Sequence, residues 1–330
     1  MVVSIRGVIT IRENGQERHV HTLKDLPAGQ FQVVGINVQG VKQVTDAGLL
    51  HLEGLTNLRS LNMEATQVSD DGLEHLKGLA NLAELRLQFT RVTDDGLAHL
   101  KGLNNLTSIN LHGASVNGAG LVHLKGLPKF AQLVLSHTGA NDAGVEHLKG
   151  LRNLTTLDLS VTQVTDAGLK HLAGLTDLVS LDLGRTQVSD AGMVHLKGLT
   201  NLKGLQLQGT RVSDDGLHHL KAATKLANLV LIGTPVTDGG LEHLKGMANL
   251  AGLHLSQTKV GDTGLAHLKA LTNLQALDLN GTLVTDAGLK DLAALKKLES
   301  VNLVATKVTP EGVTALQKAL PKCKVVWHNK

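Results

Sequence analysis

Tyrosine is absent from this chain of 330 residues, tryptophan and cysteine occur once each, and phenylalanine occurs three times. A lone Cys323 can form no internal disulfide, which excludes a disulfide scaffold and points to a reducing, cytoplasmic setting. Cys323 itself reads as a small packed residue in the last turn, not as a catalytic thiol. With 1% aromatic residues against 42% hydrophobic ones, any core must be aliphatic. Long apolar runs are also missing. No segment approaches the ~20 residues of a membrane span, and the opening MVVSIRGVITIRENGQ has no apolar stretch of signal-peptide length. A net charge of +3 supplies no basic stripe, so neither nucleic acid nor membrane is expected as a partner.

What the chain has in excess is one phrase. Residues 154–177, LTTLDLSVTQVTDAGLKHLAGLTD, recur at a period of 24, so that Leu58, Leu82, Leu106, Phe130, Leu154, Leu178, Leu202, Leu226, Leu250, Leu274 and Leu298 share one column. A fixed period of this length signals a stacked repeat. Leu154, Leu157 and Leu159 lie on one side of a short extended segment, with Thr156, Asp158 and Ser160 on the other. Thr165 and Asp166 then open a helix whose Leu169, Leu172 and Leu175 face inward. Neither half buries its apolar face alone, and stacking supplies the partner.

The consensus LxxLxLxxTxVTDxGLxHLxxL, spanning about residues 33 to 327, resembles a leucine-rich repeat. Its T-D-x-G-L portion is most similar to the class with ribonuclease-inhibitor-like and cysteine-containing members, in a bacterial-type version of 24 residues. The resemblance implies an α/β fold: a right-handed, curved solenoid with a parallel β-sheet on the concave face and short helices on the convex face. It also implies non-enzymatic binding of a protein on the concave face, by a monomer without cofactors. Where the class often carries Cys or Asn, this chain carries Thr66, Thr90, Thr138, Thr162, Thr186, Thr210, Thr234, Thr258, Thr282 and Thr306, with Ala114 as the exception. A hydroxyl can satisfy backbone groups at a turn, so this column reads as structural.

One domain is expected, because repeats grow by addition. Residues 1–32 form an N-terminal capping β-hairpin, with strand composition at Val8 to Ile11 and His19 to Leu23 around the Asn14-Gly15 turn. Residues 33–309 are the repeats. Residues 310–330 are a capping helix, Glu311 to Leu320, and a final strand with Val325 and Trp327. The Asp column, from Asp46 to Asp286, opens each helix and complements its dipole, and Lys77, Lys101 and their equivalents lie near the helix ends. Thr45, Ser69, Thr93, Thr165, Ser189, Ser213, Thr237 and Thr285 are N-cap candidates. A Gly recurs from Gly48 to Gly312, where helix and strand backbones are expected to approach closely.

Recurrence also creates tempting chemistry. The column His51, His75, His99, His123, His147, His171, His195, His219, His243 and His267 suggests a metal array. Neighbouring helices, however, pack about 8–10 Å apart and equivalent side chains run parallel, whereas zinc ligands converge to about 2 Å. Each imidazole is therefore expected to bridge to the next repeat by a hydrogen bond. No unique nucleophile motif occurs, and the acid pairs Asp70-Asp71, Asp94-Asp95 and Asp214-Asp215 read as caps. Candidate binding residues lie where the repeat varies. Residues 112 to 141 break the consensus at Ala114, Gly118, Phe130 and Ala140, so Arg86, Phe89, Arg91, His112 and His137 form a first patch of residue types enriched at interfaces. Asp158 and Asp182, expected to oppose on neighbouring strands about 5 Å apart, form a second. The alternatives are a repeat scaffold without natural ligand, natural or engineered, against which the irregular stretch weighs, and a His-metal array or enzyme.

Overall fold

Apolar residues at i, i+3 and i+5 leave little room for an extended run before the chain turns, and the repeat strands are accordingly three residues long. The computed structural model describes residues 7–328; residues 1–6 of the N-terminal cap and 329–330 of the C-terminal cap lie outside the described residues. The chain divides into two units, 1–158 and 159–330.

The first unit holds β1 (Val8–Glu13), β2 (Gln16–Val20), β3 (Gln32–Asn37), β4 (Ser60–Asn62), β5 (Glu84–Arg86), β6 (Ser108–Asn110), β7 (Gln132–Val134) and β8 (Thr156–Asp158), ordered β2-β1-β3 and then sequentially. Asn14 and Gly15, at φ 51 and 80°, make the two-residue turn that the twist of a hairpin favours. That turn pairs Glu13 with Gln16, and the ladder runs out at Ile9 and Val20. The second arm is thus Gln16–Val20 and not His19 to Leu23; Leu23 opens a 3-10 turn, Leu23–Asp25. β1 lies antiparallel on β3, while β3 to β8 run parallel with the leucine column in register, as at Leu61 and Leu85. The hairpin covers the sheet edge. An apolar hollow of about 220 Å³, lined by Ile36, Val38, Val44, Leu49, Leu52 and Leu61 among others, lies on the helical side of the first repeat.

The second unit holds β9 (Ser180–Asp182), β10 (Gly204–Gln206), β11 (Asn228–Val230), β12 (Gly252–His254), β13 (Ala276–Asp278), β14 (Ser300–Asn302) and β15 (Lys324–Val326), all parallel and in chain order. Pro at the first turn opens the long terminal helix, Pro310–Ala319. Val325 pairs with Val301, one period on, and Trp327 donates its indole N–H to the Val308 carbonyl at 3.1 Å.

Helices are shorter than the leucine spacing suggests. In the repeat that begins at Leu178, only Asp190–Met193 is α-helical and Val194–Leu196 is 3-10. Apolar residues every third position match the three residues per turn of a 3-10 helix, and Gly192 weakens the α alternative. Leu178, Leu181, Leu183, Met193, Leu196 and Leu199 are nonetheless all buried. Each contributes about 1.5–3 kcal/mol by leaving water, so the core is secured by burial more than by helix propensity.

Recurring polar residues close the turns within repeats and join one repeat to the next. Every Thr of the Thr column donates its hydroxyl to the carbonyl three residues earlier, as Thr186 does to Leu183 at 2.6 Å, which closes the turn after each strand. The Asp column does more than complement dipoles. Asp190 accepts from the Ser213 N–H (2.7 Å) and hydroxyl (2.6 Å) of the following repeat, and Asp46, Asp70, Asp214, Asp262 and Asp286 do the same to Ser69, Thr93, Thr237, Thr285 and Thr309. Donating to that carboxylate does not itself decide capping: Thr237 and Thr285 donate to it and still accept a cap bond from their own helices, as Thr165 does, whereas Thr45, Ser69, Ser189 and Ser213 stand at the cap position without that bond. The Gly column makes way for the same carboxylate. A Cβ on Gly216 would lie 2.5 Å from Asp190 Oδ1, so the close approach is between successive helical turns and not between helix and strand.

Candidate functional site

Three residues beyond the last residue of each strand from β4 to β14 the backbone turns left-handed. Ala65, Phe89, Gly113, His137, Val161, Arg185, Gly209, Gly233, Gln257, Gly281 and Ala305 all have φ between 53 and 68°. Glycine adopts this conformation freely, and other residues cost on the order of 1 kcal/mol or more. Phe89 is therefore notable, since the residue is also 56% exposed and core burial offsets little of that cost. The ring lies across Gly113 of the next repeat, where a Cβ would come within 2.7 Å of it.

In the first unit the structure brings Phe89, His112 and His137 together. Phe89 meets His112 edge to face with centroids 4.9 Å apart, and His112 meets His137 at the same separation. His112 is held in place by a hydrogen bond between Nδ1 and Ser136 Oγ, 2.9 Å, and by its backbone N–H, which donates to Asn110 Oδ1. Arg86 ends β5 between Asn62 and Asn110 in register, and Arg91 lies in the loop beyond Phe89; both are exposed and neither forms an ion pair among the described residues. Sequence reasoning missed Ser136 and Gly113. The alternation of Gly with bulky residues in the corner column was the available signal for the latter.

Asp158 ends β8, the last strand of the first unit, and Asp182 ends β9, the first strand of the second. Both are partly buried, and Asp182 accepts from the Gly184 N–H at 2.8 Å.

The histidine column does not behave uniformly. His75 bonds to Glu53 of the preceding repeat at 2.9 Å, as expected of the whole column. In the second unit His219 instead buries Nδ1 without a partner, and the off-column His218 packs edge-on against both His219 (5.7 Å) and His243 (5.1 Å). Steric packing, not a hydrogen-bond ladder, sets these rings. Burial, then Lys197 and His218, lower the His219 pKa; burial, then Lys221 and His218, lower that of His243. Among the described residues no group of three or more His, Cys, Asp or Glu side chains converges on a point that could hold a metal ion. No helix among them is long and apolar enough to cross a membrane. Cys323 is buried, and burial raises its thiol pKa, away from the thiolate a nucleophile requires.

Comparison with known proteins agrees with this architecture. A leucine-rich-repeat family model matches residues 54–77, 150–173 and 270–293. An internalin (inlF) of Listeria monocytogenes superposes with a TM-score of 0.71 at 21% identity, over 93% of each chain. Internalin C2 (inlC2) of the same organism is 31% identical, with a TM-score of 0.52 over 63% of this chain and 84% of its own. The mouse RP105/MD-1 complex contributes a chain at 19% identity and a TM-score of 0.62, over 80% of this chain and 45% of that one. No curated protein matches the sequence. The chain belongs to the leucine-rich-repeat proteins.

Proposed function

We propose that this protein is a non-enzymatic recognition module that binds a protein partner through the outward face of its repeat sheet, acting as a monomer in the cytoplasm without nucleic acid or cofactor. The observation that carries this reading is Phe89: an exposed aromatic residue at a left-handed backbone position, edge to face with His112, which in turn meets His137, and lying between Arg86 and Arg91 in the chain. Aromatic and arginine side chains dominate binding energy at protein interfaces, and a strained, exposed one is hard to account for by folding alone. Asp158 on the first unit and Asp182 on the second add acidic positions on outward strand residues. The neighbouring fold of the RP105/MD-1 complex, a protein assembled with another, supports the same class of activity. The lone buried cysteine supports a reducing compartment.

The test is quantitative affinity capture from source-cell lysate on the immobilised chain, beside a chain carrying Phe89→Gly, Arg86→Gln, Asp158→Lys and Asp182→Lys. A protein retained by the first and released by the second supports the reading. Identical retention on both refutes the assigned face.

A further inference from the structure

The corner strip of the first unit has a chemistry specific enough to describe its occupant. Phe89 sits where the next repeat uses glycine, and it is among the exposed large hydrophobic residues. His112 is oriented by Ser136 and lies between Phe89 and His137, so the three rings form one continuous edge-to-face row. Arg86 and Arg91 bracket Phe89 in the chain, both exposed and both without an ion pair among the described residues. Of the acids on or just beyond these strands, Glu64 forms no ion pair with either arginine among the described residues and receives a hydrogen bond from Gln88 Nε2 at 3.2 Å, and Glu84 stands at the opposite end of β5 from Phe89. Asn62 and Asn110, flanking Arg86, each turn Oδ1 to the backbone N–H two residues on. Asn62 is buried, so of the two only the half-buried Asn110 offers its amide N–H₂ as a further donor on the strand next to Arg86.

We propose that this strip receives an acidic segment of a partner protein, in which a large apolar side chain covers Phe89 and flanking carboxylates bond to Arg86 and Arg91. The proposal rests on the protein-binding reading above and adds the partner's chemistry to it. A guanidinium takes a carboxylate by paired, charge-assisted hydrogen bonds, and a ring already held by its neighbours loses little entropy on contact. Exposed rings and arginines also suit single-stranded nucleic acid. Such a strand, however, follows a continuous basic groove, whereas here two free cations serve a chain of net charge +3.

The full chain is panned against a random dodecapeptide display library, and the recovered sequences are measured as labelled synthetic peptides beside a thymidine dodecanucleotide. The expected winners carry Asp or Glu next to Leu, Ile, Phe, Trp or Tyr, and bind more weakly as salt rises. Phe89→Gly and the double variant Arg86→Gln/Arg91→Gln each weaken them by about tenfold or more, as does amidation of the peptide acids. Glycine suits the corner backbone, so the Phe89→Gly chain keeps its circular-dichroism spectrum and melting profile. Winners without acidic enrichment that still depend on Phe89 overturn the assigned chemistry and leave the protein-binding reading standing. Acidic winners indifferent to both variants overturn the assigned site. A library without binders overturns both proposals, and preferential binding of the oligonucleotide overturns both in favour of nucleic acid.

Discussion

Two glycines of one column should respond oppositely to the same substitution. Gly216→Ala places a Cβ 2.5 Å from Asp190 Oδ1 and 2.8 Å from Val212 Cγ1. The carboxylate must move, and it currently accepts from the Ser213 N–H (2.7 Å), the Ser213 hydroxyl (2.6 Å) and the Gly216 N–H (3.0 Å). Hydrogen bonds to charged groups contribute about 1.5–3 kcal/mol each when buried and about 1–1.3 kcal/mol when partly solvated as here, so losing the three costs roughly 3–4 kcal/mol. Alanine's better helix propensity returns about 1 kcal/mol, leaving a net loss of about 2–3 kcal/mol. Gly48 belongs to the first repeat, has no preceding Asp, and shows nothing within 4 Å of an added Cβ. Gly48→Ala should therefore stabilise by about 0.5–1 kcal/mol. Equilibrium urea unfolding of both variants, with Asp190→Ala and Asp190→Ala/Gly216→Ala, completes the cycle: removing Asp190 first should make the second substitution nearly neutral. If Gly48→Ala destabilises as much as Gly216→Ala, or if Asp190→Ala leaves the Gly216 penalty intact, the glycine column answers to helix-strand crowding and the inter-repeat carboxylate is not its cause.

Two further outcomes follow from the polar columns. Thr186→Val keeps the shape but loses the buried 2.6 Å bond to the Leu183 carbonyl, and should cost about 1–2 kcal/mol in urea unfolding; a neutral result would mean the carbonyl finds another donor. His219 and His243 have lowered pKa values in the fold, from burial first and from Lys197, Lys221 and His218 next, against the opposing pull of Asp190, Asp214, Asp215 and Glu242. The unfolded chain therefore takes up these protons first as pH falls. Their contribution is complete above the ordinary histidine value of about 6.5 and is lost as pH drops from there through the lowered folded values. Unfolding midpoints between about pH 7.5 and 5.5 should fall more steeply for the parent chain than for His219→Gln/His243→Gln, and parallel slopes would discount these two rings.

The period of 24 residues, read directly from the chain, determined the repeat class, the parallel strands and the aliphatic core. Apolar residues recurring in register can be buried only by stacking, and this requires no coordinates. The hairpin at Asn14-Gly15 and the long last helix were equally legible, because turn and cap chemistry are local. Local sequence did not carry the partnerships between repeats. Asp190 lies 23 residues from the Ser213 hydroxyl it accepts from, so its role belonged to the stack and not to its own helix. The same holds for the candidate site: Phe89, His112 and His137 were singled out as departures from consensus, but their contact arises only because consecutive repeats set residues at and next to the corner side by side. The strain at Phe89 likewise depends on a left-handed φ that glycine disguises in four of the neighbouring copies, Gly113, Gly209, Gly233 and Gly281. Periodicity determined which residues recur, and only the packed backbone decided which of them meet.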